Sequence, residues 1–406
     1  MTALRSVPHP ARPRIPQTVW ALGLVSLFMD VSSEMIHSLL PLFLTGTLGA
    51  SVVLVGIIDG IAESTAAISK IFSGYISDKI GRRKPLILFG YGLGALTKPL
   101  FAIAGGPMIV LGARFADRIG KGIRGAPRDA LIADVTPPDI RGRAFGLRQS
   151  MDTIGAVAGP LLAIALMALF ASNIRAVFWV AVIPGLLAAL LVIFGVRDRR
   201  AAAADPRALP ISFKAIALFT PTFWTIVVIG VVFTLARFSE AFLILKASQE
   251  GLPLVLAPLV LVIMNVVYSL GAYPAGAASD RLQASRLLLL GLAALVAADL
   301  SFVLMPGLIG VFAGTAFWGV HMALTQGLLS KLVADHAPAQ LRGSAFGLFN
   351  LSTGIAMLLA SIIAGLLWDH AGSSATFIAG AGFAAVAALI VISARNRLQA
   401  AHPATS

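Results

Sequence analysis

The chain has 406 residues, 58% of them hydrophobic and 12% charged, with a mean hydropathy of +0.91 and a formal net charge of +13. Soluble domains run nearer half apolar and a quarter charged, so a soluble fold is excluded and an integral membrane protein is expected. The lack of cysteine excludes disulfides, thiolate metal sites and thiol catalysis.

A helical bilayer crossing needs roughly 20 mostly apolar residues. Residues 1–18 form a basic tail with Arg5, Arg12 and Arg14. The apolar stretch after it is too long for a secretory leader and no small-residue cleavage site follows, so span 1 is expected to be retained. Twelve spans are predicted, at 19–46, 52–76, 85–105, 107–133, 143–171, 175–196, 218–246, 252–277, 285–305, 307–333, 343–369 and 373–395. They divide into a bundle over 19–196, a linker over 197–217 containing "RRAAAADPRALP", a second bundle over 218–395 and a tail over 396–406. The fold class is therefore an all-α membrane protein of two six-helix halves.

The positive charge alternates by loop. Basic residues gather before span 1, at Lys79, Arg82, Arg83 and Lys84, at Arg141 and Arg143, from Arg197 to Lys214, at Arg281 and Arg286, at Arg342, and at Arg395 and Arg397. The intervening loops offer little beyond Arg175 and Lys246. The positive-inside rule then makes both termini and the basic loops cytoplasmic. The surplus is topology, and no nucleic-acid partner is expected.

The halves repeat. "ADVTPPDIRGRAFG" at 133–146 pairs with "ADHAPAQLRGSAFG" at 334–347, 201 residues on, and "GYISDKIGRR" from Gly74 pairs with "GAASDRLQASR" from Gly276, 202 residues on. "SSEMIH" from Ser32 loosely echoes "FSEAFL" from Phe238. An even number of helices per half makes the repeats parallel in the membrane, and transporters commonly bind substrate at such an interface near the bilayer midplane.

"GYISDKIGRRK" resembles the loop between spans 2 and 3 of the major facilitator superfamily. Its second copy keeps Gly276, Asp280, Arg281 and Arg286. Gly146, Gly155, Gly159 and Pro160 resemble the span 5 motif of that superfamily's exporters, although the glycine pair expected shortly after the proline is Leu162 and Ala163 here. Arg114 stands 27 positions before Arg141, as the superfamily's span 4 arginine does. The resemblance covers nearly the whole chain. It implies alternating access, with spans 1, 4, 7 and 10 around a central cavity. It also implies gating by Gly74, Asp78, Arg82, Asp280 and Arg281 at the loops and by Gly155, Gly159 and Pro160 in span 5. An aspartate gripping facing helix ends would latch the cytoplasmic side. The glycines permit close helix contact whatever their further role.

In "RFADRIGKGIRGAPRD", residues 114–129, a 100° rotation per residue puts Arg114, Arg118, Lys121, Arg124 and Arg128 within an arc of roughly 120°. A charge at the centre of an isolated membrane helix costs about 2.5 to 3.5 kcal/mol, so the stripe must face a wet cavity or find partners. "GKGIRG" matches a dinucleotide-binding fingerprint only in letters, because no βαβ unit surrounds it. Pro127 is expected to break the helix. Arg124, Arg128 and Asp129, nearer the cytoplasmic end, are divided between ion pairing and passage. Arg114, Arg118 and Lys121, with Arg237 and His321 opposite, are the candidate substrate-binding set for an anion such as a carboxylate or phosphate ester.

Asp30, Ser33, Glu34 and His37 share one face of span 1, span 2 offers Asp59 and Glu63, and span 7 offers Glu240 beside Arg237. Burial favours a neutral carboxyl and a nearby cation favours the carboxylate. Asp30, Glu34 or Glu240 can therefore load and release a proton between orientations, with His37 as a relay. The same acids and histidines, with His321, also suit Ni²⁺, Co²⁺ or Fe²⁺, and "RGAPRDALIAD" loosely resembles bacterial nickel-resistance exporters of the superfamily. No histidine-rich tail accompanies them, and the cationic stripe would repel a bare divalent ion.

The sequence predicts a proton-coupled exporter of a small anionic solute in the bacterial inner membrane, a monomer that exchanges solute for protons and needs no cofactor or resident metal. A metal or metal-chelate exporter is the alternative. A transport-inactive sensor is the alternative of another class, and loss of solute flux in a deletion strain separates it. An enzyme is not expected, because no Ser/His pair, Gly-Asp aspartate pair or "HExxH" is present.

Overall fold

A computed structural model describes residues 15–198, 219–279, 282–337 and 342–399. The first half contains α1 (Gln17–His37), α2 (Val52–Ile80), α3 (Lys84–Ile103), α4 (Pro107–Val135), α5 (Arg141–Leu169) and α6 (Ile174–Gly195). The second contains α7 (Pro221–Ala236), α8 (Ala241–Gln249), α9 (Leu259–Ser279), α10 (Ala284–Leu304), α11 (Gly307–His336), α12 (Arg342–Ala371) and α13 (Ser373–Gln399). Local chemistry sets the ends. Ser51, Asn173 and Thr220 side chains accept from the first-turn N–H groups of α2, α6 and α7. Gly81, at φ 65°, terminates α2 in the left-handed conformation that glycine adopts without a Cβ clash.

Among the described residues, eleven of the twelve crossings are long and apolar enough to span a bilayer on composition alone. The exception is α4, whose 29 residues carry five basic and three acidic side chains. That helix is present and runs unbroken through Pro127, against expectation. One proline removes a single intrahelical hydrogen bond, and packing among neighbouring helices offsets that loss in a membrane. Pro160 likewise sits inside an uninterrupted α5.

Span 7 corrects the expectation of one continuous helix. It stops at Ala236 and restarts at Ala241, leaving Arg237, Phe238, Ser239 and Glu240 outside helix. Span 1 also breaks: α1 ends at His37, and a short turn of helix at Leu40–Leu42 leads into a π-helix at Phe43–Thr47.

Each half uses the same contact scheme. In the first, α1 packs on α5 and α6, α4 on α2 and α3, and α3 on α6. In the second, α7 packs on α12 and α13, α11 on α9 and α10, and α10 on α13. Between the halves α2 meets α12 and α5 meets α9, which are again equivalent positions. The duplication seen in sequence is thus a duplication of packing. Large hydrophobics such as Leu96, Leu169, Phe194 and Leu304 are exposed on the bundle, as a lipid-facing surface requires.

The α2–α12 seam is close because glycine lies on both sides. A Cβ at Gly60 would come within 3.0 Å of the Leu358 backbone, and one at Gly365 within 2.6 Å of Val53 Cα. Ser64 Oγ donates to Gly354 O at 2.6 Å. At the end opposite the termini, the Asp369 carboxylate of α12 accepts from the Val52 and Val53 N–H groups of α2, at 3.3 and 3.1 Å. It sits where the helix dipole is positive. There the Leu40–Leu42 turn also packs on α8, so the two halves touch at this end.

The chain lacks cysteine, so spin labels at Ala50→Cys and Ala371→Cys report this end cleanly. Asp369→Ala should raise the population with the longer inter-label distance about two- to fivefold, as loss of a helix N-terminal carboxylate implies. An unchanged distance distribution removes Asp369 from the closing machinery.

Candidate functional site

A cavity of about 200 Å³ lies between the halves. From α1 it takes Glu34 and His37, from α2 Asp59 and Glu63, from α4 Arg114, Arg118 and Lys121, and from the break in span 7 Arg237, Ser239 and Glu240. The break explains how the second half reaches the site. Unwinding four residues turns a hydrophobic crossing into a polar strip at membrane depth, which is tolerated where backbone lines a cavity.

Two of the α4 arginines are committed to partners. Arg114 donates to Asp59 Oδ1 through Nη2 at 2.9 Å and Nε at 3.3 Å, and the other oxygen of Asp59 accepts from Ser239 Oγ at 2.7 Å. That carboxylate joins the two halves. Arg118 Nη2 pairs with Glu63 Oε1 at 2.9 Å and donates to His37 Nε2 at 2.6 Å. Guanidinium can only donate, so Nε2 of His37 accepts and its proton sits on Nδ1. Nδ1 points towards Glu34 at 3.7 Å, too long for a direct hydrogen bond. The side chains of Lys121 and Arg237 make no ion pair or hydrogen bond among the described residues, and both line the cavity.

Behind the cavity the stripe turns structural. Lys98 of α3, 1% exposed, pairs with Asp117 of α4, 4% exposed, at 2.9 Å, and donates to Ser33 Oγ at 3.0 Å. The Arg124 guanidinium lies over the Tyr91 ring, 4.5 Å from its centroid. Arg128 donates to Ser26 Oγ at 3.0 Å, Tyr91 Oη at 3.3 Å and Asp129 at 3.1 Å. Gly90 and Gly120 make this crossing possible, since a Cβ on either would sit 2.6 Å from the facing backbone oxygen.

The other predicted residues disperse. Asp30 lies on α1 beside Gly155 and is not among the residues lining the cavity. Gly155 and Gly159 press α5 onto α1 at the turns of Asp30 and Glu34, where a Cβ would meet Asp30 Cβ at 2.9 Å and Glu34 Cβ at 2.7 Å. His321 is buried in α11, stacked on Phe233, with Nδ1 2.8 Å from Gly291 O. It lines a separate cavity of about 360 Å³ that shares Arg237 and Met357 with the first. Gly74 and Asp78 fall in the last two turns of α2. Their side-chain surroundings, like Asp280 and Arg281, lie outside the described residues. Arg82 is exposed, whereas its neighbour Arg83 is buried. Arg83 donates to Ser77 Oγ at 2.7 Å and Asp134 at 3.4 Å, and its backbone N–H to Asp198 at 3.3 Å.

Among the described residues no group of three histidine or carboxylate side chains converges to hold a metal ion. Lys98, Asp117, Ser239 and Asp369 take part in these contacts but belong to none of the candidate sets drawn from the sequence. For Lys98 the signal was available, as a lone charge inside an apolar span.

Residues 22–352 and 251–405 match the model of the Major Facilitator Superfamily. The chain belongs to that superfamily. A relative described as an uncharacterized MFS-type transporter of Methanocaldococcus jannaschii is 28% identical over 93% of this chain and 95% of its own length. Multidrug resistance protein MdtH of Yersinia enterocolitica is 32% identical over 35% of each chain. Among solved structures, the nucleoside transporter NupG aligns with a TM-score of 0.79 at 14% identity, over 93% of this chain and 99% of that one. A bacterial homolog of the human lysosomal transporter Spinster, inward-facing and unoccupied, aligns at 0.73 and 17% identity over 98% and 100%. At these identities the structures show the fold alone. The protein is a multi-pass membrane protein of a transporter superfamily.

Lys98→Met should lower stability in detergent by about 3 to 5 kcal/mol, because Asp117 is left buried without its partner. Joining it to Asp117→Leu should restore most of the loss, since replacing both charges by apolar groups is often neutral. Thermal unfolding of the three variants checks this, and an additive double variant excludes a coupled pair.

Proposed function

We propose that this protein is a secondary active transporter that exports a small anionic solute by alternating access, coupled to protons at Glu34 and Glu240. The observation that carries the proposal is the pair of uncommitted cations, Lys121 from the first half and Arg237 from the second, lining one cavity. A solute held by both would bridge the halves, so binding and rocking would be linked.

Charge supports the sign of the coupling. Asp59 and Glu63 balance Arg114 and Arg118, which leaves Lys121 and Arg237 facing Glu34 and Glu240. An entering monoanion balances when one glutamate holds a proton. Loading proton and anion together is therefore favoured over the exchange suggested by the sequence, with export driven by the solute's own gradient. Export itself rests on the span 5 likeness and on relatives named for multidrug resistance. With both termini cytoplasmic, as the basic loops support, the end held by Asp369 faces outwards. The same reading assigns the protein to the bacterial inner membrane. The metal reading lacks a comparable observation, because the ligand set it needs does not converge among the described residues.

The test is flux of small carboxylates and phosphate esters in proteoliposomes of the full-length protein. Lys121→Ala and Arg237→Ala should each reduce flux about thirtyfold or more, the equivalent of ~2 kcal/mol for a lost buried charge contact. Glu34→Gln with Glu240→Gln should abolish acceleration by a proton gradient imposed in the direction of solute movement. Flux confined to neutral or cationic solutes, indifferent to these substitutions, overturns the proposal.

A further inference from the structure

Asp299 stands apart from every charge described so far. It lies on α10, is fully buried, and neither carboxylate oxygen has a hydrogen-bond partner. Other acids buried in this protein, such as Asp59 and Asp117, hold a cation within 2.9 Å. An aromatic cluster adjoins Asp299 instead. Phe302, one turn on, stacks on Phe377 at 4.6 Å, and Phe238 lies 5.6 Å from Phe377 and 5.5 Å from Trp318. Trp318 Nε1 and Thr315 Oγ1, on the helix packed against α10, are also buried and unpartnered.

The carboxyl is also next to the break in span 7. Around Gly380 of α13, a Cβ would lie 2.8 Å from Asp299 Oδ2, 3.1 Å from Phe238 Cε1 and 3.4 Å from the carbonyl oxygen of Ala236. The three atoms therefore border the space that glycine leaves open. Ala236 is the last residue of α7, and among the described residues no N–H reaches its carbonyl. Asp299 Oδ2 and the Ala236 carbonyl oxygen, both bordering this space, are acceptors while the carboxyl is ionised, and only a proton on the carboxyl would add a donor.

The charged and titratable groups on the neighbouring elements are few. His321 on α11 bonds Gly291, two turns earlier on α10. Arg237 and Glu240 line the central cavity. Lys331, Asp335 and His336 lie at the far end of α11, and Arg395 near the end of α13. Asp299 forms no ion pair with any of them. An isolated carboxylate in such surroundings is strongly disfavoured, and the usual resolution is neutralisation.

We propose that Asp299 is a proton-binding site of the second half, loaded in this conformation, whose proton holds the aromatic cluster against the break that presents Arg237, Ser239 and Glu240 to the cavity. The ligand is a proton on an Asp299 carboxyl oxygen. Release would put an unpaired charge behind Phe238, and relief requires water to reach α10, so loss of the proton favours rearrangement of the span 7 break. The site needs no solute and stands whether or not the cargo is anionic.

Infrared spectroscopy of the full-length protein in nanodiscs, with aspartate carboxyls isotopically labelled to separate them from glutamates, tests the site. At neutral pH the wild type should show a labelled protonated-carboxyl band that Asp299→Asn lacks and Asp30→Asn retains. In Asp299→Glu, which keeps the acid should the amide fail to fold, the band should move to the unlabelled glutamate position. Labels at Ala50→Cys and Ala371→Cys should show an alkaline shift in inter-half distance that Asp299→Asn abolishes. No such band in the wild type, a band intact in Asp299→Asn, or the same alkaline shift in both proteins overturns the inference. Failure of solute flux alone would count against the anionic cargo and leave this result standing.

Discussion

Charge inside hydrocarbon must be paired or wetted, and the architecture of this protein follows from how it meets that condition. Three of the four α4 groups from Arg114 to Lys121 are held by a partner: Arg114 by Asp59, Asp117 by Lys98, and Arg118 by Glu63 and His37. These contacts tie α4 to α2, α3 and α1. A helix too polar to be recognised as a crossing by composition thereby becomes the strut around which the first half is assembled. The fourth group, Lys121, is left to face water and whatever passes. The few kilocalories that an unpaired charge would cost in lipid are what turn the stripe inwards.

The second half meets the same constraint with fewer charges and a different device. Where α4 brings side chains, span 7 brings unwound backbone, and four residues suffice to supply a guanidinium, a hydroxyl and a carboxyl. Ser239 then reaches across to Asp59, the carboxylate that already holds Arg114. One acid thus reports on both halves, since any rocking that separates them must give up that 2.7 Å contact. The duplicated packing relates the halves by a common scheme, while the unequal distribution of charge makes them chemically distinct.

Much of this was legible in the sequence. Hydropathy, loop charge and the 201-residue offset dictate twelve crossings in two halves, because bilayer thickness and parallel duplication leave few alternatives. The shared face of Glu34 and His37, and the inward turn of Arg114, Arg118 and Lys121, followed from helical periodicity. The breaks did not. "LARFSEAF" contains no glycine or proline, and its unwinding depends on tertiary partners such as Asp59 that periodicity cannot see. Pro127 misled in the opposite direction, since local propensity yields to packing in a membrane. Asp369 was invisible for a further reason: its partner is a helix N-terminus of the other half, and no residue type marks that.

The glycines of α5 are best understood through what they place. The superfamily likeness marks Gly155 and Gly159 as exporter-like, and the contacts show α5 lying on the very turns of α1 that hold Asp30 and Glu34. Any tilt of α5 is transmitted to those carboxyls without an intervening side chain, and α5 also meets α9 across the interface, where Asn265 Nδ2 donates to Ala156 O at 3.3 Å. A relative movement of the halves therefore acts on the acid-bearing face of α1 through one rigid helix. That route adds to the direct exposure of Glu34 in the cavity between the halves, and it depends on the absence of side chains at two positions.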